Sequence, residues 1–142
     1  MSELRVGYGE RTITPPLGVE LCGYGFYLGR RADSVLDDLK ARAVYLESGG
    51  QRLVLVACDV IGFPVDEADS LRARIAASLG LPRPHVLLAA THTHCGPATQ
   101  PLPGLGDMDA AYTERLRTLI IEAADEAAAA PAPAELSHAL EA

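Results

Sequence analysis

Two histidines, His92 and His94, are the residues of this chain best suited to chemistry. They lie in the segment 91–97, Thr-His-Thr-His-Cys-Gly-Pro, after an apolar run at 85–90 that is typical of a buried strand. Side chains two positions apart on an extended backbone point the same way, so we expect both imidazoles to face one crevice. Imidazole is a common zinc ligand, and its pKa suits proton transfer near neutral pH. The pair could supply a metal ligand and a general acid or base together, the alternative being exposed loop histidines without a role.

The elements around this motif predict an α/β fold, namely a mixed sheet with a β-hairpin followed by a βαβ crossover and a C-terminal helix. A strand–helix–strand order implies a right-handed parallel crossover. We expect this to be an incomplete domain. The predicted elements are strands at 4–8, 40–46, 52–58 and 85–90, a Ser-Gly-Gly-Gln hairpin turn at 48–51, and helices at 66–79 and at 110–129, the last capped by Asp109.

The predicted sheet places candidate residues at one edge. Ligands of open α/β sheets bind outside the carboxyl ends of the strands. Asp59 ends the run 52–58, and the histidine pair ends the run 85–90. The run 52–58 is nearly continuous in apolar residues, which predicts a strand covered on both faces. His85 adds a third histidine within ten positions, which favours a role for the cluster.

Composition excludes several function classes. The chain has 142 residues, enough for one domain, and a formal net charge of -7, which argues against a nucleic-acid partner. The adjacent pair Arg30 and Arg31 fits a solvated turn. No apolar segment approaches the roughly 20 residues that a membrane-spanning helix needs. The first residues contain no apolar run of the kind found in signal peptides, so we expect a soluble, cytoplasmic protein.

The three cysteines, Cys22, Cys58 and Cys95, are widely spaced and form no CxxC pair. Reduced, buried thiols are expected for Cys22 and Cys58. Cys95 follows His94 directly, so a third metal ligand at that position is an open alternative.

The motif at 91–97 resembles the Thr/Asn-His-Thr-His-Ser-Gly-Pro signature of the neutral/alkaline, non-lysosomal ceramidases. Two positions depart from the family pattern: Thr12 replaces the usual Asp, and Cys95 replaces Ser. The resemblance covers nearly all of residues 1–142, which would correspond to the N-terminal portion of the family's catalytic domain. Further matches, in the same order along the chain, are Ile-Thr-Pro-Pro-Leu-Gly at 13–18, Cys-Gly-Tyr at 22–24, Asp-Leu-Lys-Ala-Arg-Ala at 38–43 before the Gly-Gly hairpin, and the acid Asp59.

Members of that family are zinc-dependent amidases that cut the N-acyl bond of ceramide. Carried over by position, the resemblance implies that His92 is a zinc ligand and that His94 acts beside the metal in acid/base catalysis. Zinc lowers the pKa of its bound water towards about 7, and that water attacks the amide carbonyl. The expected substrate is ceramide or a related N-acyl lipid.

The resemblance also implies that the zinc site is only partly encoded here. In the family a second His, a Glu and a Tyr complete it from downstream regions, and the later histidine of this chain, His138, lies too early to match. A catalytic zinc needs about three protein ligands. We therefore expect an inactive fragment that a downstream region or a partner chain would complete.

Three rival interpretations can be weighed against this one. A metallo-β-lactamase would carry Asp-His after the His-x-His pair, where Cys95 and Gly96 stand. A TIM-barrel amidohydrolase needs eight βα units, for which this chain is too short. A non-catalytic α/β module with structural histidines, serving in binding or assembly, belongs to a different functional class.

Overall fold

A computed structural model describes residues 3–25 and 29–140. The chain forms a five-stranded mixed sheet with two helices, which confirms the predicted α/β class. Each predicted element is present, and the largest change is at β1, which extends four residues beyond the predicted strand. The elements are β1 Arg5–Thr12, β2 Lys40–Ser48, β3 Gln51–Cys58, α1 Val65–Leu79, β4 Val86–Ala90, α2 Ala110–Ala129 and β5 Ala132–Pro133.

The strand order is β4-β3-β2-β1-β5, and β3 and β4 are the parallel pair. The β2–β3 hairpin closes with Ser48 opposite Gln51. Its two turn residues, Gly49 and Gly50, have φ of 58° and 77°. A two-residue turn with both central φ positive matches the twist of the flanking strands, and glycine adopts it without steric cost. The helix α1 makes the expected crossover from β3 to β4.

The short strand β5 is the element that the sequence did not predict. It pairs antiparallel with β1, with Pro133 opposite Arg5 and Ala132 opposite Val6. Prolines at 131 and 133 predict the end of a helix rather than a strand. Proline is nevertheless tolerated on an edge strand, because the missing N–H can face away from the ladder.

Both helices cover the same face of the sheet. They pack against each other, and α2 also contacts β1, β2 and β3. The core between the helices and the sheet is fully buried and includes Val54 and Val56 from β3, Leu71 and Ile75 from α1, and Ile120 from α2. None of the described helices is long and apolar enough to cross a membrane.

The prediction that β3 is covered on both faces is wrong for this chain. Val54 and Val56 are buried, but Leu53 and Leu55 are 37% and 41% exposed. The apolar run 52–58 gives β3 apolar side chains on both of its faces, and the helices cover only one face. Cross-strand register aligns the other apolar side chains on what we call the outer face, which consists of Val6, Tyr8, Val44, Leu46, Leu53, Leu55 and Leu87.

Candidate active site

Residues 91–97, here called the histidine loop, follow β4 and run beside the chain that leaves β3. The N–H of Thr91 donates to the carbonyl of Cys58 at 3.0 Å, and that of His92 donates to Val60 at 3.1 Å. His92 has a φ of 62°. In the described part of the chain, it is the one non-glycine residue whose φ is positive. Such a backbone is uncommon outside glycine. The chain therefore turns at His92 instead of continuing as a strand.

The rings of His92 and His94 lie side by side. Their centroids are 4.9 Å apart, and the rings meet edge to face at 77°. The expected juxtaposition is thus present, although its expected cause is wrong. The left-handed backbone at His92 brings the rings together, not an extended strand.

The ring of His92 is held by a backbone carbonyl. Its Nδ1 lies 2.7 Å from the carbonyl oxygen of Ile61. A carbonyl only accepts, so Nδ1 is the donor in this contact, and in the neutral imidazole Nε2 then has the lone pair. Imidazoles that bind metals commonly donate their other N–H in this way, which fixes the tautomer and the ring orientation. Nε2 is therefore the ring nitrogen through which His92 could bind a metal ion.

The ring of His94 packs against segment 22–24. The Tyr24 ring meets it edge to face, with centroids 5.6 Å apart. A Cβ added to Gly23 would lie 2.7 Å from Cγ of His94, so the imidazole occupies space that any other residue at 23 would fill. The match of Cys-Gly-Tyr to the ceramidase pattern marks this segment in the sequence, and the structure gives it a physical role.

Arg30 is a site residue that sequence reasoning missed. The pair Arg30 and Arg31 fits a solvated turn, yet Nη2 of Arg30 donates to the carbonyl oxygen of His94 at 2.9 Å. Arg31 faces outward and pairs with Glu20 at 2.7 Å. Two adjacent arginines look alike in a sequence, and only the fold separates them.

Asp59 and His85 do not join the histidine pair. The carboxylate of Asp59 accepts from the backbone N–H of Lys40 at 2.9 Å and from Arg42 Nη1 at 3.0 Å, so it is bound to β2. Nδ1 of His85 lies 2.8 Å from the carbonyl oxygen of Arg52, before the start of β4. Because β4 separates His85 from the histidine loop, the clustering of three histidines in sequence is not a cluster in space.

The three cysteines differ in burial. Cys22 and Cys58 are buried and free, as expected, whereas Cys95 is exposed. Burial raises the pKa of the Cys22 thiol. Burial, with a smaller contribution from the charge of Asp59, raises the pKa of the Cys58 thiol to about 12.

A cleft of about 440 Å³ adjoins the histidine loop. Thr93, Cys95 and Gly96 form the wall that the loop contributes. The other walls mix apolar side chains with the charged residues Arg30, Asp33 and Asp37, the larger apolar ones being Leu21, Val35, Leu36 and Leu39. Its size and its mixed walls suit a ligand that has both an apolar and a polar part.

The described residues do not fit a complete zinc site. Within residues 3–25 and 29–140, no three His, Cys, Asp or Glu side chains are grouped so that they could hold a metal ion. Cys95 is therefore not part of such a group. His92 offers one oriented imidazole where a catalytic zinc takes about three protein ligands. No catalytic step through zinc is assigned to this chain alone.

Comparison with known proteins finds no matching family model and no matching curated protein sequence. Among the solved structures that match in fold, two are ceramidases. One is the crystal structure of neutral ceramidase from Pseudomonas aeruginosa, with a TM-score of 0.73, and the other is a ceramidase complexed with C2, with a TM-score of 0.75. Each is 27% identical to this chain, and each match covers 94% of this chain and 22% of the ceramidase chain. This chain therefore spans about 22% of the length of the ceramidases that it matches, and over that length it has a ceramidase-like α/β fold.

Proposed function

We propose that this chain is part of a zinc-dependent amide hydrolase that cleaves the N-acyl bond of ceramide or of a related N-acyl lipid. The observation that carries the proposal is the histidine pair, with ring centroids 4.9 Å apart and Nδ1 of His92 bound to the Ile61 carbonyl. This pair lies on a fold similar to that of neutral ceramidase.

The two histidines take different roles in this proposal. His92 is a metal ligand through Nε2, because its Nδ1 is occupied by the Ile61 carbonyl. His94 is the general acid or base that transfers a proton to the leaving amine, since its ring adjoins that of His92. Zinc, when bound, would polarise the amide carbonyl and acidify a water molecule.

The remaining ligands would come from outside this chain. The chain corresponds in this proposal to the N-terminal portion of a ceramidase-like catalytic domain. A downstream region of a longer protein, or a partner chain, would complete the zinc site. Residues 1–142 alone are then expected to be inactive.

The cleft beside the histidine loop supports a lipid-like substrate. The apolar side chains of its walls could hold an alkyl chain, and Leu36 among them is 96% exposed. An N-acyl lipid has such a chain next to its amide bond. The histidine loop meets the cleft through Thr93, Cys95 and Gly96 and not through the imidazoles, so a bound chain would lie against the loop beside the histidine pair.

The test compares residues 1–142 with a longer form that contains them. With stoichiometric zinc, residues 1–142 should not hydrolyse a fluorogenic ceramide analogue, whereas the longer form should. In the longer form, His92→Ala should lose zinc and activity, and His94→Ala should lose activity but keep zinc. His85→Ala is the matched control and should keep both. Hydrolysis by residues 1–142 would refute the fragment proposal, and full zinc content and activity in His92→Ala would refute the hydrolase proposal.

A non-catalytic assembly module is the second candidate function. The outer face favours it, since Leu53, Leu55 and Leu87 expose apolar surface on adjacent strands. Exposed apolar surface of this kind is typical of protein interfaces. Retention of every measurable property in the His92→Ala variant of the longer form would favour this candidate over the hydrolase.

A further inference from the structure

The guanidinium of Arg30 joins the two sides of the candidate site. Nη2 donates to the carbonyl oxygen of His94 at 2.9 Å and to that of Cys22 at 3.3 Å. The guanidinium carbon also lies 4.6 Å from the centroid of the Tyr24 ring. Hydrogen bonds from a charged donor are stronger than neutral ones, and stacking on an aromatic face adds a further attraction. One side chain thus binds the backbone of His94 and the segment that packs on its ring.

The imidazole of His94 packs against segment 22–24 and against the ring of His92. Gly23 lies against Cβ and Cγ of His94, and the Tyr24 ring meets the imidazole edge to face. A further backbone hydrogen bond, from Cys22 N–H to the Gly96 carbonyl at 2.9 Å, links the segment to the histidine loop. The rotamer of His94 therefore depends on how segment 22–24 is held against the loop.

We propose that Arg30 is a positioning residue for His94. By binding the carbonyls of His94 and Cys22 together, it holds the Gly23 and Tyr24 walls against the imidazole and keeps that ring beside His92. The importance of this position for catalysis rests on the proposed function, but the geometry itself can be tested without activity. Lysine would replace it only in part, because an ammonium donates to carbonyls but lacks the planar group that stacks on Tyr24.

The experiment is NMR spectroscopy of residues 1–142 with labelled histidine, glycine and tyrosine. In the parent chain, the His94 ring protons should show nuclear Overhauser effects to Gly23 Hα and to the Tyr24 ring. Arg30→Met should lose both effects, and Arg30→Lys should recover the one to Gly23. Arg31→Met is the matched control, since Arg31 contacts Glu20 instead, and it should retain both.

A second readout separates positioning from general stability. The His85 ring, bound to the Arg52 carbonyl, reports on a remote part of the fold. The proposal requires its resonances and the cooperative thermal transition to persist in Arg30→Met. It is overturned if that variant keeps the effects between His94 and segment 22–24, or if the His85 resonances and the transition are lost together with them.

Failure of the proposed function would look different. If the longer form of the protein hydrolyses no N-acyl lipid, the nuclear Overhauser effects in residues 1–142 still decide the role of Arg30. If the longer form is active, Arg30→Met should lower kcat with little change in KM or in zinc content. A change in zinc content alone would contradict an action through His94.

Discussion

His92 combines a strained backbone with two hydrogen bonds that hold it in place. Its φ of 62° is a conformation that costs a non-glycine residue about 1–3 kcal/mol, and its ring is bound to Ile61 through Nδ1. The backbone N–H of His92 also donates to Val60. Residues held in this way by their surroundings concentrate at functional sites. The strained turn gives the histidine pair its geometry, so we infer that the strain is retained for the site.

Thiol reactivity provides a prediction at the same scale. A thiol with a pKa of about 12 is ionised in about one molecule in ten thousand at pH 8, and the thiolate is the reactive form. With a chromogenic disulfide at pH 8, we expect Cys95 to react quickly in the folded protein and Cys22 and Cys58 to react only in denaturant. Cys95→Ser should remove the fast phase. Fast labelling of two or more thiols in the native state would contradict the burial of Cys22 and Cys58.

At the scale of elements, the closest packing joins α2 to β1. Gly7 and Gly9 face the helix, and a Cβ at these positions would lie 1.8 Å from the Ala127 carbonyl oxygen and 2.1 Å from that of Ala123. The facing helix residues are alanines, so both surfaces lack bulk. The small residues let helix and strand backbones approach directly, and this approach fixes where α2 lies on the sheet.

Gly9→Ala should therefore be severely destabilising. The new methyl group would meet the backbone of α2 rather than a flexible side chain, so we expect a loss of about 3 kcal/mol or more in the free energy of unfolding. Gly50→Ala is the control, since nothing lies near its added Cβ and its positive φ costs about 1–2 kcal/mol. Urea denaturation measures both. Equal losses in the two variants would show that the helix can move away from β1.

At the scale of the whole molecule, the sheet is covered on one side. The helices bury Val54 and Val56, while the alternate residues Leu53 and Leu55 lie on the outer face. All-parallel sheets are normally covered on both faces, whereas antiparallel sheets can leave one face open, usually with polar side chains on it. In this mainly antiparallel sheet the open face is apolar. Any further layer that covers the outer face would bury its apolar side chains.

The two faces of β3 should respond differently to truncation. Val56→Ala removes two buried methyl groups and should lower the free energy of unfolding by about 2 kcal/mol. Leu55→Ala removes more carbon but from a partly exposed site, so we expect a loss below about 1 kcal/mol. Chemical denaturation of residues 1–142 at low protein concentration compares them. A larger loss for Leu55→Ala would mean that the outer face is covered in solution.

Local pattern was sufficient for most of the fold. Apolar side chains three or four positions apart predicted both helices, and the Ser-Gly-Gly-Gln turn predicted the hairpin. Asp109 caps α2, as predicted, by accepting from Tyr112 N–H at 2.7 Å. These features depend on residues close together in the chain, so the sequence contains their cause. The strand β5 was missed because its pairing with β1 joins residues more than a hundred positions apart.

For the candidate site, the sequence by itself predicted that His92 and His94 would lie together after an apolar strand. The expectation that this strand is buried is wrong, because β4 lies at the edge of the sheet and Val86 is its one buried residue. The tertiary structure decided how they meet and what surrounds them. In the folded chain, the backbone of His92 is left-handed, and Arg30 and Gly23 contact His94. Asp59 is bound to β2, and His85 lies at the opposite end of β4 from the histidine pair. These outcomes depend on carbonyls and side chains supplied by distant segments. Residue types and spacing show which side chains are available for chemistry. Which groups those side chains contact is decided only when the chain folds.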